Sequence, residues 1–441
     1  MRTLTRVFIV AVLAVPGTSV AGLVASVQKP TVEVRERPAL DAPTLETLER
    51  GATVTIAAQQ GLWYQLQRPT AAGYVRVNEV RLAPTATSDG SASLRVLMGE
   101  KAGQGRVTET AGVRGIDESE LAAAAPDRAQ LDAMVAQRVD AQTAAANAAG
   151  QGWQATSLAY AAEAPPVKAN PQGADSASAR SATVKAVSGL LGSFGGDLGS
   201  RLAGAEKVVP KSQGELAAEE LALGPEITER LLGARPLWSN AEAQRRVNLV
   251  GRWVASQTSR PDLPWTFGVI DTPEINAFAA PGGYVVVTRG LYELLLGDAE
   301  LAAVLAHEIG HCVQRDHYNV IRKQEMATAG KDLALESVQP SGGSAATVFA
   351  RRYVEEHGAT VMLTALDREA EYRADESAQY YLARAGMNPL ALHSVLQRLA
   401  ALGPGSAGLA QLYKTHPSFD ARIDRLDQRA EGPLQPYFQR E

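Results

Sequence analysis

At 441 residues the chain is longer than one ordinary hydrophobic core organises, so two or three domains are expected. Hydrophobic residues at 45% and charged residues at 21% fit a globular protein, and a net charge of −5 with no basic cluster argues against nucleic acid as a partner. The one cysteine, Cys312, excludes an intramolecular disulfide and reads as a small buried apolar residue.

The N-terminus has the layout of a secretory signal peptide: basic "MRTLTR", apolar "VFIVAVLAV" and small residues "SVAG" for cleavage, giving residues 1–21 as the leader. The apolar run is shorter than the ~20 residues a bilayer span needs, and no later stretch is apolar enough. The expectation is an exported protein, periplasmic in a bacterium, with no transmembrane helix after signal removal.

Residues 27–84 read as small β structure. "TVEVRERP" alternates and turns at Pro38, "ATVTIAAQQGLWYQLQ" gives two strands broken at Gly61, and "GYVRVNEVRL" adds another. The pattern resembles the bacterial SH3-like domains. That resemblance implies a small all-β barrel that binds a peptide or cell-wall ligand, although such a barrel also serves as a passive spacer.

Residues 85–205 read as a linker, partly helical or disordered. Thirteen of the thirty residues in 121–150 are alanine, so any helix there is expected to bury little, and "EAPPVKANPQGADSASARSATV" has the composition of a flexible tether. "GLLGSFGGDLGSRLAG" is Gly-rich but lacks the Gly-Lys-Ser/Thr ending of a phosphate loop.

From 206 to 437 the chain is dense again and reads as an α+β, mostly helical domain. A helix starts after Asn240, a good N-cap; "LPWTFGVI" and "GGYVVVTRGL" read as strands; helices dominate from 291 to 400. "AGMNPLALHSVLQRLA" stops one helix at Gly386 and starts another with Asn388 and Pro389.

The chemistry centres on "AHEIGH". The segment "DAELAAVLAHEIGHCVQRDHYNVIRK" contains no proline and offers Asp298 as an N-cap, so it reads as one helix. His307 and His311, four residues apart, then share a face and can hold one zinc ion, while Glu308 beside them can move a proton for a metal-activated water. The helix is apolar nearly all round, hence buried, and buried His and Glu need partners. His317, six residues beyond His311, falls off that face and reads as a surface or helix-end residue.

A catalytic zinc usually takes a third protein ligand. "LDREAEYRADESAQYYLARAG" is helical, and Glu371 and Asp375 lie at i and i+4 in it; Glu371 could bind zinc and Asp375 could hold a ligand histidine through its second nitrogen. A solvated charged face is an equal alternative, because Glu369 competes with Glu371.

"AHEIGH" followed by "EYRADESA", with "NAFAAPGGYVVVTRGLYELL" upstream and "THPSFDARIDRL" downstream, resembles the HtpX-like and CAAX-prenyl-protease-like zinc metallopeptidases. The resemblance covers roughly 210–430 and implies a zincin of the gluzincin kind with one zinc per chain, held by His307, His311 and Glu371. It selects Asp375 as the residue behind a ligand. It implies a cleft-side edge strand with Asn276 and Ala277 nearest the substrate. It brings His416 near the zinc, either to stabilise an oxyanion or to block the metal, with Arg422 in support. The function implied is a zinc-dependent endopeptidase acting on envelope or misfolded proteins. The alternative is a latent peptidase serving as an envelope binding or chaperone-like factor. Residues 326–362, between the metal helix and Glu371, could form a lid.

Overall fold

A computed structural model describes residues 22–69, 71–84, 97, 116–165, 211–329, 344–403, 405–429 and 432–440. The expected signal peptide, much of the expected linker and residues 330–343 of the possible lid lie outside the described residues.

Alternation sets the first layer. β1 (Leu23–Val27) buries Leu23, Ala25 and Val27, and β2 (Thr31–Arg35) buries Val32 and Val34. With β3 (Thr44–Glu49), β4 (Thr53–Gln60), β5 (Trp63–Leu66), β6 (Gly73–Arg76) and β7 (Val80–Leu82) they form an antiparallel sheet of order β3-β2-β6-β5-β4-β1-β7. The strands expected at 27–84 are therefore present.

The linker expectation needs correction. Residues 116–165 carry three short helices, α1 (Glu118–Ala123), α2 (Arg128–Ala136) and α3 (Ala141–Gly150), each capped by an aspartate side chain: Asp117, Asp127 and Asp140. They are packed, not tethering. Leu131, Met134, Ala144 and Ala148 are fully buried. An alanine face offers little area per residue, but it lets two backbones approach closely, and α3 uses Ala144 and Ala148 in this way within the main core.

The larger part is mostly helical around a three-stranded sheet. α4 (Gln213–Ala234) opens with a capping box of Ser212 and Glu215. α5 (Ala241–Ala255) starts at Asn240, whose side chain accepts from the Ala243 N–H. Next come β8 (Thr266–Ile270), β9 (Ala277–Ala280) and β10 (Tyr284–Thr288), ordered β8-β10-β9; β8 runs parallel to β10 and β9 antiparallel. The tight β9–β10 turn uses Gly282 and Gly283 at φ 75° and 91°, a region that favours glycine. All three strands are buried, with one hydrophobic cluster on each face.

After α6 (Arg289–Leu294) come α7 (Asp298–Gln314) and α8 (Asp316–Ala329). The expected single helix over 298–323 is thus broken: Arg315 between the two sits at φ 61°, ψ 32°. Asp298 is the first helical residue rather than the cap, which is Gly297. α9 (Ala345–His357), a 3₁₀ turn (Thr360–Leu363) and α10 (Arg368–Arg384) follow. Then come α11 (Leu390–Ala401), α12 (Ala410–Thr415) and α13 (Phe419–Arg429).

The N-terminal sheet rests on α11 and α13 through polar contacts, those of Gln397 buried. Gln397 donates from Nε2 to the carbonyls of Val77 (2.8 Å) and Val80 (2.6 Å), and its Oε1 accepts from the Leu82 N–H (2.9 Å). Arg81 pairs with Asp424 and Asp427 at 3.0 and 3.2 Å. Arg398, with Glu300 beside it, donates to Gln59 (3.0 Å).

Candidate metal centre

α7 and α10 pack face to face because Gly310 allows it. A Cβ at Gly310 would stand 3.3 Å from the Ser377 Cβ and 3.4 Å from the Ala374 Cα. This approach brings Glu371, in the first turn of α10, opposite His307 and His311 of α7. The three side chains are 1–4% exposed as residues. His307 Nε2 and His311 Nε2 are 3.2 Å apart, and each lies 3.6 Å from a different Glu371 oxygen.

The remaining ring nitrogens are fixed. His307 Nδ1 is 2.9 Å from Asp375 Oδ1, and His311 Nδ1 is 2.9 Å from Asp316 Oδ2. A carboxylate can only accept, so each Nδ1 carries the hydrogen and each Nε2 presents a lone pair to the space facing Glu371. Asp375 is itself gripped by Arg422, with Nη2–Oδ1 at 2.6 Å and Nε–Oδ2 at 2.8 Å. Asp316 accepts from Arg373 at 2.8 Å. His416, the C-cap of α12, places Nδ1 2.5 Å from Glu371 Oε2.

The electrostatics follow from these contacts. Burial alone would raise the Asp375 carboxyl, but the Arg422 charge and its hydrogen bonds hold it below the usual carboxylate range. Burial likewise opposes ionisation of Glu371, yet His416 and His307 keep it well below its ordinary value. The His317 imidazole is pushed down to about 4 by burial and by neighbouring His311, so it is neutral at pH 7.

Two lone pairs and one carboxylate converging in this way are a cation-binding donor set. Ligands bound at ~2.0–2.1 Å to a tetrahedral zinc stand roughly 3.3–3.4 Å apart, close to the separations here. A small cleft opens beside this group. Asn276, Ala277, Phe278 and Ala279 line one side of it, with Met362, Thr364 and Leu366 also contributing. Glu308, His311, His317, Glu371 and His416 contribute the ionisable groups.

The structure thus brings together His307, Glu308, His311, Glu371, Asp375, His416, Arg422, Asn276 and Ala277. Glu369, the competitor of Glu371, has a 74% exposed side chain and points to Arg425. His317 corrects the reading from helical spacing. It is 9% exposed and lines the cleft, its ring centroid 6.1 Å from that of His311, because the left-handed Arg315 turns the chain back. The same turn supplies Asp316, which sequence reasoning missed. Five residues past His311 on a continuous helix, an aspartate would face away. Cys312 is buried as expected, 3.4 Å from the Ala280 carbonyl, with its thiol raised by burial.

An H-E-x-x-H helix facing a glutamate from a second helix is the ligand arrangement that zinc metallopeptidases use. Residues 241–430 match the model of peptidase family M48. It is 27% identical over 218 residues to the beta-barrel assembly-enhancing protease of Escherichia coli, covering 48% of this chain and 44% of that protein. It is 30% identical over 197 residues to the mitochondrial metalloendopeptidase OMA1 of Schizosaccharomyces pombe, covering 44% of this chain and 56% of that protein. The protease HtpX homolog of Salinibacter ruber is 29% identical over 232 residues, covering 46% of this chain and 80% of that protein. The chain therefore spans less than half the length of the Escherichia coli relative. Among the described residues, no helix is long and apolar enough to cross a membrane.

Proposed function

We propose that the chain is a zinc-dependent endopeptidase of the gluzincin kind, exported to the periplasm, that cleaves envelope or misfolded proteins. The observation that carries this reading is the convergence of His307 Nε2, His311 Nε2 and a Glu371 carboxylate beside a cleft lined by His311, Glu371 and Glu308. These three residues would hold one zinc per chain. Bound zinc supplies Lewis-acid polarisation of the scissile carbonyl and acidifies a water molecule.

This chain's residues perform the rest. Glu308 accepts the proton of the attacking water and delivers it to the leaving amine. Asp375 and Asp316 keep both histidines in the tautomer that presents Nε2. Arg422 keeps Asp375 ionised and fixed. Asn276 and Ala277 lie where an extended peptide can run alongside β9, which among the described residues pairs with β10 on one side only. His416 stands beside Glu371, where it can stabilise negative charge developing on the carbonyl oxygen. The N-terminal sheet is read as an SH3-like module that binds a peptide or cell-wall ligand next to the peptidase.

The test pairs two variants. Glu308→Gln keeps zinc by elemental analysis and loses casein cleavage, whereas Glu371→Gln loses zinc. Full cleavage by Glu308→Gln, or unchanged zinc in Glu371→Gln, defeats the assignment.

A further inference from the structure

Glu220 is fully buried on α4 and takes no part in the chemistry described above. It accepts a bidentate pair from Arg260 (2.7 and 2.8 Å) and a third bond from Arg315 Nε (2.9 Å). Arg260 also donates to the Cys312 carbonyl (2.9 Å), one of the last carbonyls of α7. Next to Glu220, Glu219 accepts from the Tyr318 hydroxyl (3.1 Å), in the first turn of α8. Two adjacent acidic residues of α4 therefore grip the chain on both sides of the α7–α8 turn.

That turn depends on a residue with a Cβ in the left-handed region, at φ 61°. Such a conformation is disfavoured for arginine and persists only when the surroundings impose it. Its consequence is local and specific: it aims Asp316 back at His311 Nδ1 instead of letting α7 continue. α4 lies upstream of the 241–430 span matched by the family.

We propose that Glu220 is a positioning residue for the metal site. By pinning the Arg315 side chain it holds the left-handed turn, and the turn sets Asp316 against His311. The proposal rests on the zinc reading above. A merely structural ion pair would support stability without selecting one metal ligand. The pinning role predicts a coupling that runs through Asp316.

The experiment uses the full chain and reads zinc affinity by chelator competition, with thermal unfolding of the metal-free protein recorded beside it. Glu220→Gln and the gentler Arg315→Gln, which leaves the Glu220–Arg260 pair intact, each weaken zinc binding about tenfold, the lower end for losing a ligand's outer support. Arg315→Gly adopts the left-handed turn without a pin, so its affinity stays within about threefold of wild type. In an Asp316→Ala background, which removes the acceptor altogether, Glu220→Gln and Arg315→Gln change affinity by less than about twofold, because the path they act through is already cut. Effects that add fully to that of Asp316→Ala, or an Arg315→Gly variant as weak as Arg315→Gln, overturn the proposal while leaving the zinc reading intact. A wild-type chain that binds no zinc overturns both.

Discussion

Asp316 Oδ2 lies 2.9 Å from His311 Nδ1, matching the 2.9 Å contact between Asp375 Oδ1 and His307 Nδ1. Each histidine therefore has its own carboxylate, although the two aspartates come from different helices, one two residues and the other about sixty residues past the end of the metal helix. Asp316→Asn and Asp375→Asn are each expected to weaken zinc binding about 10–100-fold, because a neutral amide accepts more weakly than a carboxylate and can turn its NH2 to the ring, which loosens the tautomer and the ring orientation. Chelator competition measures this. An unchanged affinity in both variants would show that the outer carboxylates do not set the ligands.

Gly310 is the contact that lets the helix bearing two histidines meet the helix bearing Glu371. A methyl group there is 3.3–3.4 Å from Ser377 and Ala374, so α10 must give way by a few tenths of an ångström. Gly310→Ala sets an overpacking cost of about 1–3 kcal/mol against the ~1 kcal/mol that alanine gains inside a helix, for a net loss of about 0–2 kcal/mol, and should lower zinc affinity through displacement of Glu371. Thermal denaturation and zinc titration on the same sample check both. A stabilised variant with unchanged zinc affinity would contradict the packing argument.

His416 hydrogen-bonds Glu371 at 2.5 Å and lines the cleft. His416→Ala is expected to retain zinc and to cleave casein about 10²–10³-fold more slowly, the usual cost of losing an oxyanion donor. A rise in casein cleavage would instead assign His416 as the group that blocks the metal.

Glu300 is buried and bound by Arg398 at 2.5 and 2.7 Å. Burial raises its carboxyl, but the Arg398 charge and hydrogen bonds hold it below its ordinary value. A depressed carboxylate contributes stability that is complete above its unfolded value of about 4.3. That contribution is lost as pH falls through the lower folded value. The melting temperature should therefore drop as pH falls below about 4, with Asp375 and Glu371 adding to the same trend. Glu300→Gln strands Arg398, should cost about 3–5 kcal/mol at pH 7, and should make the acid side of the profile shallower. An acid profile parallel to that of wild type would remove Glu300 from the account.

Gln397 spends both ends of its amide on the N-terminal sheet. Gln397→Ala leaves the Val77 and Val80 carbonyls and the Leu82 N–H without that partner, at about 1–3 kcal/mol for each buried group left unpaired. Limited proteolysis should then release the sheet from the helical part before the latter is cut. Equal cleavage rates in variant and wild type would indicate that the sheet is held by its apolar contacts instead.

By itself the sequence determined what periodicity and spacing can carry: alternating strands in 27–84, the Asn240 cap, the placing of His307, Glu308 and His311 on one buried helix, and Glu371 and Asp375 one turn apart on another. These are local consequences of a period of two or of 3.6 residues. Spacing left Glu371 and Glu369 open and only the family resemblance favoured Glu371; the tertiary structure supplies the physical reason, because the choice depends on which face of α10 meets Gly310. It also turned His317 and Asp316 into the site, since one residue at φ 61° cancels any prediction based on continuous helical phase. The alanine-rich stretch at 116–165 became packed helices for a related reason: small side chains carry a weak apolar signal in sequence, yet they let helices approach closely once a neighbour is present.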